Sequence, residues 1–526
     1  MSSINSFGVE QLRSFGEKEQ LIPVKKINVF VGKNSCGKST FLRTYPLLRQ
    51  SVESDTRTPI LWYGAYVDFG DFNTALHDGG NEITFDFDTT LDIVDTALYD
   101  GWEWSHVRAS ALYLDESSVE HPANIKIKLR RRDRESLITT IIFSLYGSQV
   151  KLTYSGEEVL SLEVECVELK IKDSYPVSVV FNKGAIIPRV VRDIREVTIK
   201  NQGKRKVIVD TMHVEPVNKM IKFLSKYHHK AKQERKMREQ ISTIPFSYGA
   251  DLYGHIKEAF SSDKFFLKKL DENAQYITKV CFNYILAQHI HSFWGGADDL
   301  FKNFFGGVRY LGPLRASAER FYRYQDLQIA EIDHTGANLP MVINSLDARK
   351  KRELSDWMFS NFGFKIELVT TGLHYAIQIK EEHDDKFHNV SDMGFGYSQI
   401  LPVIVSIWLE LVDKGKGVRL KKNKSRTIVI EQPELHLHPD LQYKFGLAIA
   451  KVASLADSKS FNFVIETHSK HLIDALGKSV RSNVMDESDI NITLFEKEKN
   501  GKTLVSFSGF DDEGYLIDWP AGFLSA

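Results

Sequence analysis

The sequence predicts an α/β fold: a mixed sheet built around a phosphate-binding loop, an antiparallel β layer beside it, and a helical insertion. Three observations predict it. The wholly apolar run Val29-Phe30-Val31 leads straight into the Gly-rich segment Gly32-Lys33-Asn34-Ser35-Cys36-Gly37-Lys38-Ser39. From about 58 to 185, apolar and polar residues alternate with period two, as in EITFDFD, TTIIFSLYG and QVKLTYSG, the signature of half-buried strands. Two late apolar strands, TIVIE at 427–431 and FNFVIET at 461–467, are each followed by helical sequence, as in a parallel sheet.

Taken in order, residues 5–31 read as a β-hairpin and a buried strand, followed by a helix from about Ser39 to Gln50 interrupted by Pro46. The alternating region is punctuated by turns at Asp78-Gly79-Gly80 and Tyr154-Ser155-Gly156. From about 213 to 300 the period becomes helical, with Met220, Ile221, Phe223, Leu224 and Tyr227 on one stripe. Mixed α/β sequence resumes at Val308-Arg309-Tyr310-Leu311, and a last hairpin turns at Asn500-Gly501. The expected boundaries are 1–200 for the N-terminal part of the sheet domain with its antiparallel layer, 201–305 for the insertion and 306–526 for the C-terminal part.

At 526 residues, with 42% hydrophobic side chains, the chain has material for two or three domains. Its 68 basic and 69 acidic side chains leave a net charge of -1, so any affinity for nucleic acid or a membrane surface must come from a local patch. The three cysteines form no CxxC pair or disulfide framework, which fits a reducing compartment. The N-terminus lacks a signal-peptide pattern, and no run approaches the roughly 18 apolar residues that span a bilayer. The expectation is a soluble, cytoplasmic protein with no membrane partner.

The segment 32–39 matches GxxxxGK[ST] in full. Gly32 and Gly37 let the backbone turn so that its N–H groups form a nest for phosphate oxygens. Lys38 would reach the β- and γ-phosphates, the Ser39 hydroxyl would ligate Mg²⁺, and the helix starting there aims its positive end at the anion. Gly32, Lys33, Asn34, Ser35, Cys36, Gly37, Lys38, Ser39 and the adjoining Thr40 are therefore the candidate contacts to ATP.

Such a loop needs an acidic partner at the end of a neighbouring strand. Ile428-Val429-Ile430-Glu431 supplies one where α/β ligands bind, making Glu431, with Ser39, the expected metal pair. Pro433 ends that strand and Pro439 suits the first turn of the next helix. The strand ending Val464-Ile465-Glu466-Thr467-His468 offers an imidazole that could bond a γ-phosphate or the attacking water. A fourth element, Ser391-Asp392-Met393-Gly394-Phe395-Gly396-Tyr397-Ser398-Gln399, reads as a Gly-Ser turn opening an apolar helix.

These four elements, in this order, resemble the ATPase head of the ABC/SMC superclass, and most closely the bacterial AAA-like ATPases related to the overcoming-lysogenization-defect nucleases. The matching stretches are VGKNSCGKST, SDMGFGYSQ, IVIEQPELHLHPDLQ and ETHS, with support from Tyr310-Leu311-Gly312-Pro313-Leu314-Arg315 and from Gly514–Pro520. The likeness covers about 1–75 and 305–525. It implies an ABC-type head in which two copies sandwich two ATP molecules. Gly394, Gly396 and either Ser391 or Ser398 would then touch the partner's nucleotide, Glu431 would hold Mg²⁺, and His468 would be the switch histidine. Where strong hydrolases of this superclass carry a second acidic residue, this chain has Gln432, which cannot accept a proton. Two readings follow: slow turnover with a long-lived ATP-bound dimer, because Glu434 lies too far along the turn, or competence through Glu434.

Only 58 residues follow His468, too few for the nuclease domain of the related nucleases. The same head type, without a nuclease, occurs in Septu-type anti-phage ATPases, including retron-associated ones. That resemblance implies a homodimeric regulatory subunit working with a separate HNH-type nuclease, and with a reverse transcriptase and retron DNA. The alternatives are an SMC-like repair ATPase acting on DNA ends, or a non-catalytic scaffold that uses ATP as structural glue. Against the SMC reading, an insertion of about 85 residues is too short for a long coiled-coil arm.

Within 219–238, Lys219, Lys222, Lys226, Lys230, Lys232, Arg235, Lys236 and Arg238 face Glu234 alone, either a phosphate-tracking helix face or a solvated one. Lys128-Leu129-Arg130-Arg131-Arg132 reads as a basic strand edge protected against pairing. Neither His289/His291 nor His436/His438 is completed by a carboxylate or cysteine pattern for metal.

Overall fold

A computed structural model of the chain describes residues 2–17, 20–56, 58–94, 118–133, 136–180, 184–191, 194–199, 205–229, 233–323, 325, 329, 331–412, 425–455 and 461–520. The chain divides into two units, each discontinuous in sequence. The first comprises Met1–Val9, Ser51–Ile60 and Gly80–Lys302, the second Glu10–Gln50, Leu61–Gly79 and Asn303–Ala526.

In the first unit the period-two sequence forms a meander. Strands Glu82–Val94, Ser118–Arg131, Leu137–Leu145, Ser148–Ser155, Glu158–Cys166 and Ile171–Ser174 pair antiparallel, each with the next. Ile83, Phe85 and Phe87, then Ile125, Ile127 and Leu129, then Val150 and Leu152 are all buried, so alternate positions build one apolar face. Helices Thr211–Leu224, Glu234–Ile241, Gly249–Ala259 and Lys264–Glu272 precede a long helix, Ala274–Phe305. That helix lies on the apolar face, where Phe301 meets Phe87 (ring centroids 4.8 Å apart) and Phe293 meets Phe143 (5.9 Å).

Two sequence expectations change here. The basic strand 128–132 is not an edge: Ser118–Arg131 is paired on both sides. Its Lys126 and Lys128 are matched by Asp86 and Glu82 at 2.7 and 2.9 Å on the neighbouring strand, so its charges answer acids across the ladder. Among the described residues of 219–238, Lys219 and Lys222 lie on helix Thr211–Leu224, Lys226 in the turn Ser225–Tyr227, and Arg235, Lys236 and Arg238 on helix Glu234–Ile241, so these charges do not share one helix.

The second unit is built on a seven-stranded sheet in the order Val308–Leu311, Arg426–Glu431, Phe461–Glu466, Ile27–Gly32, Ile490–Lys497, Thr503–Phe510, Leu516–Ile517. The first five are parallel, and the last two return antiparallel as the expected hairpin and its extension. The central strand Ile27–Gly32 is buried along its whole length, which explains its largely apolar sequence, and its one polar side chain, Asn28, is hydrogen-bonded to Lys25 O and Phe463 O. Helices Ala348–Phe362, Phe395–Val412, Pro439–Ser454 and Lys470–Arg481 contribute to the core around this sheet. Phe395–Val412 is long and apolar enough to cross a bilayer, yet most of it is buried in this core. The expected helix 39–50 is two helices, Lys38–Leu42 and Thr44–Glu53, broken at Arg43. Pro46 explains the break, because it donates no N–H and its ring clashes with the carbonyl four residues earlier.

Candidate nucleotide site

All the head motifs fall within the second unit, and the phosphate loop, Glu431 and His468 follow the C-terminal ends of its parallel strands, where ligands of open α/β sheets bind. Residues 431 and 466 are in register across the parallel pair, and 466 is in register with Phe30, two residues before Gly32. The loop follows at once, with Lys33, Asn34 and Ser35 exposed and Cys36, Gly37 and Lys38 buried. Ser35 (φ 61) and Gly37 (φ 102) both occupy left-handed backbone, the alternation that turns successive N–H groups inward. A Cβ at Gly37 would stand 2.5 Å from Thr503 Oγ1. That hydroxyl donates to Cys36 O at 3.0 Å, so the last hairpin braces the loop from below. Cys36 Sγ donates to Lys33 O at 2.8 Å, and burial pushes its thiol up. The Lys38 ammonium donates to Gly32 O and Lys33 O at 2.9 and 2.8 Å, the loop carbonyls that hold it over the nest. The helix that begins at Lys38 is only five residues long, so the loop's own N–H groups, more than a helix dipole, carry the attraction for phosphate.

The two strand-end carboxylates have different surroundings. Glu431, 1% exposed, is gripped by Arg43: Nε reaches Oε1 at 2.7 Å and Nη2 reaches Oε2 at 2.9 Å, while Tyr310 Oη donates to Oε1 at 2.7 Å. Its own hydrogen bonding to Glu431 raises the Arg43 guanidinium's pKa, and burial beside the carboxylate raises the Tyr310 phenol's. Glu466, 2% exposed, accepts from Ser39 Oγ at 3.0 Å and lies 3.9 Å from Lys38 Nζ. Burial, with Glu431 close by, pushes its carboxyl up to about 7, and its Oε2 is buried without a hydrogen-bond partner.

The segment after Glu431 coils back on itself. Gln432 (φ 45) and His436 (φ 63) adopt left-handed backbone, a conformation costly for side-chain-bearing residues and common at functional sites. Gln432 N–H donates to Glu466 O at 2.8 Å. The turn returns Glu434 to the site, where its Oε1 accepts the His468 backbone N–H at 2.6 Å and its Oε2 is buried and unpartnered. Glu434 is thus not carried away along the turn. Its carboxyl is raised by burial. The His468 imidazole is held below its ordinary pKa by burial and then by Lys38, and its buried Nε2 has no partner. The orphaned oxygens of Glu466 and Glu434 and the nitrogen of His468, beside an N–H nest and a lysine, fit a metal-bound triphosphate, whose phosphates and magnesium would complete them.

Ser391, Asp392, Gly394 and Phe395 are exposed at the start of helix Phe395–Val412. Ser398 is buried and its hydroxyl donates to Phe395 O at 2.7 Å, so of the two candidate serines Ser391 is the one on the surface. Gly396 packs so closely that a Cβ there would lie 2.7 Å from His436 O. Lys222, Lys226, Arg235 and Lys236 are exposed and Arg238 is partly so, while Lys230 and Lys232 lie outside the described residues. Arg235 pairs with Glu239 at 3.2 Å, and Lys219 with Asp173 at 3.1 Å, which reduces the free charge of the stretch.

Sequence reasoning missed Glu466, Arg43, Tyr310 and Arg315. Glu466 had a signal: Val464-Ile465-Glu466 repeats Val429-Ile430-Glu431. Arg315, 5% exposed, clasps Gln399 of the signature helix. Its N–H donates to Gln399 Oε1 at 3.2 Å, and Gln399 Nε2 donates to its carbonyl at 3.1 Å. Its Nη2 donates to Glu431 O at 2.8 Å, and burial lowers its guanidinium to about 10.

No curated protein matches the chain in sequence. Similar solved structures include the Smc head domain with an extended coiled coil bound to the C-terminal domain of ScpA, from Pyrococcus furiosus, at 10% identity over 96% of each chain and TM-score 0.33. Another is the Smc head domain with a coiled coil and joint from Pyrococcus yayanosii, at 9% identity over 98% of each chain and TM-score 0.33. The AAA ATPase domain family matches residues 3–473. Because that match spans the phosphate loop, the paired carboxylates and the His468 turn, the chain belongs to the AAA ATPase domain family and is an ATP-binding ATPase.

Proposed function

We propose that this chain is the regulatory ATPase subunit of a bacterial, cytoplasmic anti-phage defence complex. Two copies close around ATP, hydrolyse it slowly and thereby control a separate HNH-type nuclease effector, with a reverse transcriptase and retron DNA as further partners. The observation that carries the closing step is the exposed turn Ser391–Phe395 at the mouth of a buried helix. Gly394, in left-handed backbone (φ 87) and exposed beside Phe395, leaves a surface turn that a second copy's triphosphate can meet. Slow turnover is supported by Gln432, an amide that cannot take a proton from water, fixed by its backbone bond to Glu466 O, and by the engagement of Glu434 Oε1 with the His468 N–H. The defence role rests on the likeness of the four motifs to Septu-type ATPases.

Sedimentation velocity with ATP and Mg²⁺ tests the closing step. The expected result is an ATP-dependent dimer in the wild type that Gly394→Asp abolishes while nucleotide binding persists. A chain that stays monomeric with ATP, or a dimer indifferent to Gly394, refutes it. Gln432→Glu should raise the turnover rate, and unchanged or lost turnover removes the holding role assigned to Gln432.

A further inference from the structure

We infer that Glu466, rather than Glu431, is the carboxylate that receives the nucleotide's divalent cation. This deepens the ATP-site reading above and rests on it. Magnesium bound with a triphosphate takes one or two protein carboxylates, keeps several waters and fills the rest of its octahedron with phosphate oxygens. In a phosphate loop of this pattern it also takes the Ser/Thr hydroxyl after the lysine, here Ser39.

Glu466 meets that requirement. Ser39 Oγ donates to its Oε1 at 3.0 Å, so the carboxylate already stands beside the hydroxyl the cation would share. Its other oxygen is buried and has no hydrogen-bond donor, a costly arrangement that a bound cation would relieve. Lys38 Nζ, 3.9 Å from Oε1, places the phosphate-binding ammonium at the same point.

Glu431 does not meet it. Both its oxygens are engaged, Oε1 by Arg43 Nε and Tyr310 Oη and Oε2 by Arg43 Nη2. A bidentate guanidinium uses the planar lone pairs that a metal would need, and its charge opposes a dication. In-register pairing sets the two glutamates side by side, so the strand ends alone make them equivalent. Arg43, at the helix break, distinguishes them. Glu431 then acts as a positioning residue, fixing the strand end through Arg43 and Tyr310.

The test is isothermal titration calorimetry of the full chain with ATP, in EDTA and in Mg²⁺. In the wild type, Mg²⁺ should tighten ATP binding. Glu466→Gln should lose about 10–100-fold of that gain and keep metal-free ATP binding, while Glu431→Gln should retain the gain. Should the glutamine variant fail to fold, Glu466→Asp keeps the charge on a shorter side chain and should give an intermediate gain. A full gain in the folded Glu466 variants, or its loss in Glu431→Gln instead, overturns the inference. Wild-type ATP binding indifferent to Mg²⁺ also overturns it but leaves the ATP reading standing; no ATP binding at all removes both.

Discussion

Removing Arg43 should destabilise the second unit through one buried carboxylate. Glu431 is buried and held by three donor contacts, two from Arg43 and one from Tyr310. Breaking a fully buried ion pair by deleting one partner costs about 3–5 kcal/mol, because the survivor is left uncompensated. The Arg43 side chain is 35% exposed, so water can replace part of it, and the expectation for Arg43→Ala falls to about 2–3 kcal/mol. Tyr310→Phe removes one hydrogen bond to a charged acceptor that still keeps Arg43, about 1.5 kcal/mol. At about 2 °C per kcal/mol for a large domain, calorimetry should place the unit's transition about 5 °C lower for Arg43→Ala and about 3 °C lower for Tyr310→Phe. Adding Glu431→Gln to Arg43→Ala should recover much of the loss, since the amide carries no charge. A loss under about 1 °C for Arg43→Ala, or a double variant worse than the single one, would refute the argument that a stranded charge is the cause.

Three further outcomes are expected. Lys38→Ala should abolish ATP binding by calorimetry with little change in melting temperature, because the short bonds of the Lys38 ammonium go to loop carbonyls and its nearest carboxylate, Glu466, lies 3.9 Å away. Glu466→Gln should stabilise the ligand-free protein in a pH-dependent way. The wild-type carboxyl sits at about 7 against an ordinary 4.5, so the folded chain holds an extra proton between those values and wild-type stability falls as pH rises through that window. The variant's advantage should therefore be near zero at pH 4 and reach up to about 3 kcal/mol at pH 8; an advantage that does not grow with pH contradicts this. Gln399→Leu should leave the Arg315 N–H and carbonyl without the side-chain bonds they now make, at about 1–3 kcal/mol each. Denaturant unfolding that shifts by less than about 0.5 kcal/mol would show that neither bond matters.

How much of this was legible in the sequence depends on the range of the determinant. The phosphate loop, the buried strand before it and the parallel strands after it are local patterns, and each stands where the sequence placed it. The 128–132 strand was misread because edge or interior position depends on which strands pair, and composition does not contain that. Glu466 was passed over for the same reason: its environment is set by register with Glu431 and by Ser39, both distant in sequence. Glu434 is hard to place from sequence because the left-handed backbone at Gln432 and His436 is uncommon for any residue but glycine. Arg43 reaches Glu431 from the break before Pro46, a feature visible in the sequence whose consequence needed three dimensions.

The loop brace has a consequence for biosynthesis. The central strand Ile27–Gly32 takes its neighbours from 461–466 and 490–497, and Thr503 holds the carbonyl of Cys36. A ribosome therefore finishes the loop's own residues long before the segments that shape it emerge. Closing contacts so distant in sequence is slow, and a nascent chain with an unpaired central strand exposes an aggregation-prone edge in the meantime. Competence to bind ATP should accordingly arise late and all at once, after the final hairpin leaves the exit tunnel, so that chains stalled before it carry an intact GxxxxGKS sequence without the site it encodes.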